Sequence, residues 1–282
     1  MGIKALVGGL LSGIAQIVFL KQRKAGGFFL AGIALFSPLM AFTCLAGTSV
    51  ATATAIVTKR SPEKITEGLY GFNGALLGLA LPVFLPHTLS LWLFLVTGAA
   101  LTTLLYEMIS SRIGAPPLTL PYVLLTWLCV KLAGSPPVES ISEITSFWNV
   151  SLLGMGQIFF LESILGGIVI LVGIASVSLR LAVWAWVGAC IGSLPVFWSD
   201  QLYTSNGLIT LNTALCVLAF LHVKPEANHF FVVGIAALSV FMYPALYTSL
   251  AYFSLPALTF PFIVCTWAGM LLLKRVFIVK GY

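Results

Sequence analysis

Charge is what this sequence has least of. Only 8% of its 282 residues are Asp, Glu, Lys or Arg, against 60% hydrophobic, where a soluble domain carries about 25% charged residues. So sparse a supply cannot coat a water-facing surface. That excludes a soluble globular domain, and a mean hydropathy of +1.07 points to lipid as the surroundings. The patterns of metal and covalent chemistry are missing too. The five cysteines (Cys44, Cys129, Cys190, Cys216 and Cys265) lie in apolar runs and form no CxxC pair. An odd number without regular spacing argues against a disulfide framework and against zinc, and leaves them as small buried side chains. The three histidines (His87, His222 and His229) sit near segment ends and form no ligand cluster. HExxH, GxSxG, Walker A and dinucleotide fingerprints are all absent, so neither an enzyme nor a cofactor is expected. Eight acidic residues, mostly in loops, do not suit an ion-coupled carrier, whose proton relay uses several buried carboxylates or histidines.

The net charge of +6 is weak ground for a nucleic-acid partner, because the basic residues gather at segment ends. Lys21, Arg23 and Lys24 form one group, Lys59, Arg60 and Lys64 a second, and Lys274, Arg275 and Lys280 a third. Such residues anchor spans at the interface and set orientation. They occur at many segment ends, so the sequence leaves the orientation open. The first twenty residues have the outline of a signal peptide, with Lys4 before an apolar run. No small-residue cleavage site follows, the run ends in charge, and it has a counterpart in mid-chain, so it is expected to stay.

That counterpart belongs to an internal repeat. GIAQIVFL at 13–20 returns as GMGQIFFL at 154–161, GLYGFNGAL at 68–76 as GLITLNTAL at 207–215, and PPLTLPYVLLTW at 116–127 as PALTFPFIVCTW at 256–267. Gln16 and Gln157 are 141 residues apart, Asn73 and Asn212 139, and Thr119 and Thr259 140. Three blocks in one order at a near-constant shift describe a tandem duplication, 1–135 and 136–282, joined near the polar stretch Gly134 to Thr145. Apolar segments run roughly 5–20, 27–43, 44–58, 67–85, 88–107 and 118–133 in the first copy. In the second they run roughly 147–161, 163–179, 181–198, 206–223, 228–250 and 257–279. The Gln-containing segments are short for a span of about 20 residues and read as re-entrant helices, tolerated only inside protein or against a cavity. Five spans per copy is an odd number, so the second copy enters the membrane upside down. The expected fold is an all-α integral membrane protein of two inverted repeats, each about five transmembrane helices plus a short re-entrant one, with a solute site where the repeats meet.

The duplicated polar residues carry no charge. At membrane depth each must be hydrogen-bonded or meet water. Asn73 and Asn212 read best as caps or staples between neighbours. For the Gln and Thr pairs a solute path is favoured, because aromatic and proline companions travel with them. Phe19 and Phe160 fall three residues after each Gln, which on a helix shares a face. An amide beside a ring suits a small, flat, polar solute. Thr119 and Thr259 each sit between prolines (Pro116 and Pro121, Pro256 and Pro261), which free carbonyls from the helical pattern. A plain helix start reads equally well on these grounds. Glu67 is either a helix N-terminal acid or an acceptor at a pore mouth; its repeat equivalent is Asn206. Glu107 reads as facing the membrane interface, and Gly9/Gly13 and Gly74/Gly78 as close-packing helix positions.

With these residues in view, the chain resembles the urea transporter family, the passive urea channels of bacteria and animals, as a divergent bacterial-type member. The resemblance rests on the two G-x-x-Q-x-x-F blocks, on GLYGFNGALLG at 68–78, and most of all on the signature LPxxTxPF, intact as LPALTFPF at 255–262. It implies an inverted-repeat homotrimer in the cell (inner) membrane, multi-pass, with one slot-like pore per subunit for urea. Gln16, Phe19 and Thr119 would serve one half and Gln157, Phe160 and Thr259 the other. Glu67 and Asn206 would take the mouths, and Leu81 and Phe220 the remaining slot positions. The first signature departs from the pattern as APPLTLPY at 115–122, Leu81 is aliphatic and Asn206 is not acidic; a related small amide could pass such a slot. The expected function is passive passage of urea or a close analogue, with no cofactor and no nucleic acid. The alternatives are an ion-coupled carrier of a small polar metabolite and a structural membrane subunit without a pore.

Overall fold

A computed structural model describes residues 3–113, 115–134, 146–199 and 202–279, with the side chains of 3–5, 202–203 and 274–279 left aside. The expected joint between the copies, Gly134 to Thr145, falls almost wholly outside these residues, as do the side chains of Lys274 and Arg275 and all of Lys280. All regular structure among the described residues is helical. The first set runs α1 (Ile3–Ala15), a 3-10 turn (Gln16–Val18), α2 (Arg23–Phe36), α3 (Pro38–Val57), α4 (Pro62–Thr66), α5 (Gly71–Phe84), α6 (Leu89–Arg112) and α7 (Leu120–Ala133). The second runs α8 (Phe147–Gln157), α9 (Ile164–Ala175), α10 (Leu179–Ser193) with a 3-10 turn (Leu194–Phe197), α11 (Leu202–Ser205), α12 (Leu208–Val223), α13 (His229–Tyr252) and α14 (Phe260–Val279).

Four stretches are long and apolar enough to cross a bilayer: Pro38–Val57, Leu89–Arg112, Leu179–Phe197 and His229–Tyr252. At most half of each is buried inside the protein, so their outer faces of Leu, Val and Phe are left to lipid. The shorter apolar helices pack between them. α5 and α12 are the most enclosed, with Gly71 to Leu81 and Ile209 to Leu221 buried throughout.

Local chemistry sets the boundaries. Apolar content alone divides 27–58 at residue 43; the chain breaks instead at Ser37–Pro38. Ser37 is extended, its hydroxyl accepts from the Met40 N–H, and Pro38 opens α3. That is a serine N-cap followed by proline at the first helical position, and it overrides apolar content as a boundary signal. Glycine lets the helices touch. A Cβ on Gly74 would overlap the backbone of Gly47 in α3, and one on Gly78 the backbone of Thr43, which is the close packing expected of that pair. In the α1–α2 hairpin a Cβ on Gly26 would overlap the Leu11 carbonyl. In the α8–α9 hairpin one on Gly167 would overlap the Leu152 carbonyl.

Candidate functional site

Each Gln-x-x-Phe block ends a helix rather than continuing it. The Phe19 N–H donates to the Gln16 carbonyl at 3.0 Å and the Leu20 N–H to Ala15 at 3.2 Å. The Phe160 N–H donates to Gln157 at 3.0 Å and the Leu161 N–H to Gly156 at 3.1 Å. This pair of bonds is the Schellman closure, whose C′ residue takes a left-handed conformation. Phenylalanine occupies that position in both copies, with φ of 62° at Phe19 and 57° at Phe160. A side chain with a Cβ is strained there by about 1–3 kcal/mol. Helical spacing therefore does not put each Gln and its Phe on one face: the chain turns between Gln and Phe, and the backbone, not the helix, aims each ring.

The glutamines are buried, and each is tied to the segment before the next enclosed helix. Gln16 Nε2 donates to the Glu67 carbonyl at 2.9 Å, and Gln157 Nε2 to the Asn206 carbonyl at 3.4 Å. Gly68 and Gly207 follow with φ of 81° and 70°, and each lies so close to the backbone of α1 or α8 that a Cβ would collide with Gly13 or Gly154. Glu67 caps the C-terminus of α4, and α5 begins only at Gly71, which removes the reading as a helix N-terminal acid. Its carboxylate pairs with Lys21 at 3.0 Å, both side chains nearly half exposed. Asn206 is buried, and Glu162 stands where Lys21 stands in the first copy, so the two ends differ in charge.

The two PxxTxP segments meet. Thr119 Oγ1 and Thr259 Oγ1 are hydrogen-bonded at 2.6 Å, 140 residues apart, at 2% and 5% exposure. Each threonine follows a leucine in left-handed conformation, Leu118 at 51° and Leu258 at 49°. The asparagines hold these bends. Asn73 Nδ2 donates to the Leu118 carbonyl at 3.3 Å, and Asn73 Oδ1 accepts from the Tyr122 N–H at 3.1 Å. Asn212 Nδ2 donates to Leu258 at 3.0 Å, and Asn212 Oδ1 accepts from the Phe262 N–H at 2.9 Å. They are the staples the sequence suggested. Two tryptophans escaped the sequence reading. Trp127 Nε1 donates to the Pro256 carbonyl at 2.8 Å, and Trp267 Nε1 to the Pro116 carbonyl at 3.0 Å. Each copy lends an indole N–H to the other's proline segment. The signal was present, since the repeated block ends in TW both times, but nothing local distinguished a bonding indole from an apolar one.

Aromatic walls form at both ends. The Phe19 ring lies 5.7 Å from His222 and 6.2 Å from Phe262; the Phe160 ring lies 6.4 Å from Phe84. Leu81 is fully buried in a separate cluster with Leu77, Leu85, Leu91 and Leu125. Phe220 is fully buried against Phe231, with Gly269 beneath it. The residues brought against the two Phe rings are thus His222, Phe262 and Phe84, which the sequence reading did not name for that role. Away from the Lys21–Glu67 pair at the Phe19 end, what this arrangement offers is uncharged: amides, hydroxyls and ring faces. Among the described residues no group of His, Cys, Asp or Glu could hold a metal ion.

Comparison with known proteins extends the same way. The family model described as urea transporter matches residues 7–274. Urea transporter 1 of Ovis aries is 25% identical over 295 residues, covering 94% of this chain and 77% of the relative. Urea transporter 1 of Rattus norvegicus is 26% identical, covering 93% and 76%. With a family model spanning nearly the whole sequence, the chain belongs to the urea transporter family.

Proposed function

We propose that this chain forms a passive channel for urea or a closely related small amide, with Gln16, Phe19, Thr119, Thr259, Gln157 and Phe160 along its path. The observation that carries this reading is the Thr119–Thr259 hydroxyl pair, set between two matching Gln–Phe closures. Urea presents N–H donors and a carbonyl acceptor in one plane. A hydroxyl both donates and accepts, so the pair can exchange its mutual bond for bonds to the solute; a neutral hydrogen bond contributes about 1 kcal/mol net. An ion finds nothing there to replace its water. Reconstituted protein should raise urea uptake into liposomes over empty vesicles without a proton or sodium gradient. Thr259→Val should cut that flux about fivefold, by loss of one such bond. Equal uptake with and without protein would sink the reading, and dependence on an ion gradient would replace it with a carrier.

The two copies, 1–135 and 136–282, are read as inverted in a multi-pass cell (inner) membrane protein, and the trimer of the family is extended to this chain. Ring contacts support inversion. His222, in the last turn of α12, meets Phe19, whose Gln16 is bonded to the residue before α5; Phe84, at the end of α5, meets Phe160, whose Gln157 is bonded to the residue before α12. On this reading the equivalent helices α5 and α12 run in opposite directions.

The same contacts support an orientation. Lys21, Arg23 and Lys24 lie at the Phe19 end, as do Lys59, Arg60 and Lys64 around α4 and Arg112 at the end of α6. Lys224 follows His222, and Arg180 follows α9, whose Gly173 abuts Phe28 and Phe29 in α2. Lys131 stands at the other end, on the half of α7 that packs with Leu85 and Leu91. By the positive-inside rule the Phe19 mouth faces the cytoplasm. A membrane-impermeant thiol reagent on intact cells should label Thr88→Cys and leave Lys224→Cys unlabelled until the cells are opened. The reverse pattern would invert the assignment.

A further inference from the structure

The segment between α4 and α5 supplies a partner to the Phe19 mouth, and a side chain outside the path holds that segment. The Glu67 carbonyl accepts from Gln16 Nε2 at 2.9 Å. Only the nitrogen of an amide can donate to a carbonyl, so this bond decides which way the Gln16 amide faces. Among the described residues no group bonds Gln16 Oε1. That oxygen is left to accept an N–H of the solute. Three residues after Glu67, Tyr70 is buried to 2% exposure. Its hydroxyl donates to Glu107 Oε2, in the last two turns of α6, at 2.8 Å, and its ring meets Tyr106 edge-on at 5.7 Å. Glu107 is half-buried and reaches inward to this phenol.

The second copy meets the same need without a carboxylate. Ile209 stands where Tyr70 stands, 139 residues on, and Tyr247 where Glu107 stands, 140 residues on. Ile209 is buried in an apolar cluster with Val240, Tyr243 and Leu250, and the Gln157–Asn206 bond there is the longer one, at 3.4 Å. The phenol–carboxylate tie is therefore particular to the Phe19 mouth. The Lys21–Glu67 pair also touches this segment, but both side chains are nearly half exposed, and such pairs contribute little in water. A hydrogen bond to a carboxylate is roughly twice as strong as one between neutral groups.

We propose that Tyr70 and Glu107 are positioning residues that hold the 67–70 segment in the place where its carbonyl presents Gln16 Oε1 to a solute at the Phe19 mouth. This rests on the channel reading above. Neither residue touches the solute; both act through the Glu67 carbonyl and Gln16.

The test measures urea permeability per correctly sized particle in proteoliposomes. Tyr70→Phe and Glu107→Leu should each lower it about fivefold, the effect of one neutral hydrogen bond between Gln16 and urea. The two together should lower it no further, because they break the same bond. Glu107→Gln keeps an acceptor oxygen for Tyr70 and should recover the flux that Glu107→Leu loses. Gln16→Met should cost the same fivefold, and adding Tyr70→Phe to it nothing more. A purely structural role would make those last two losses multiply. That outcome overturns the proposal, as does Glu107→Gln failing to recover flux. Should Gln16→Met yield no folded particles, the Tyr70 and Glu107 series decides alone, on the same recovery. Wild-type uptake no higher than in empty liposomes is a different failure: it removes the channel, and this assignment with it.

Discussion

Alanine at Gly26 is expected to remove most of the folded, conducting protein, while alanine at Gly27, one residue on, leaves it close to wild type. A Cβ on Gly26 would overlap the carbonyl oxygen and carbon of Leu11; on Gly27 its nearest neighbour is the Leu11 Cδ1 at 4.0 Å. The obstacle at Gly26 is backbone, with no flexible side chain to swing aside. The α1–α2 hairpin must open, and α1 carries Gln16 and Phe19 at its end. Overpacking of a closed core costs about 1–3 kcal/mol, about thirtyfold in the folding equilibrium at the middle of that range. The displaced Gln16 loses its bond to Glu67 as well. Size-exclusion profiles in detergent, followed by urea flux per correctly sized particle, read both effects. If Gly26→Ala and Gly27→Ala behave alike, the hairpin contact is not a constraint.

The second large effect is expected at Asn212. Its side chain donates to the Leu258 carbonyl and accepts from the Phe262 N–H, and it donates within α12 to Leu208 at 2.9 Å. Truncation to alanine leaves the Leu258 and Phe262 backbone groups without their buried partner. Each such orphan costs about 1–3 kcal/mol, so Asn212→Ala should lose about 3 kcal/mol, seen as a fall in thermal midpoint and in urea flux. Asn73→Ala should be milder, since its two bonds, at 3.3 and 3.1 Å, are longer. A reversed order would show that these bends are held by packing and not by the amides.

The repeat made much of this protein readable in advance. A polar residue kept at the same offset in two copies must answer the same local demand twice, which is why the Gln, Asn and Thr pairs stood out from single polar residues. The close-packed Gly74 and Gly78 were legible from spacing, because helix periodicity alone decides that face. Other features depend on what the chain does out of register. Spacing placed Phe19 on the face of Gln16 only as long as the helix continued, and a left-handed phenylalanine carries no sequence mark comparable to glycine. The partners of the Phe rings are on remote segments: His222 lies more than half the chain from Phe19, and Phe84 meets Phe160 from the end of α5. On the orientation proposed above, the gathering of the basic residues at one end was hidden for the same reason. Their positions along the chain are scattered, and only the pairing of helix ends gathers them.

The exchange of indole N–H groups between Trp127 and Pro256 and between Trp267 and Pro116 bears on why the two copies share one polypeptide. Each would leave a carbonyl of the other wanting a donor in a low-dielectric setting. Two free halves would have to find each other by lateral diffusion among competing lipids and neighbours. A covalent tether replaces that search with a high effective concentration and guarantees a one-to-one ratio at synthesis, so a half never waits in the bilayer for its complement.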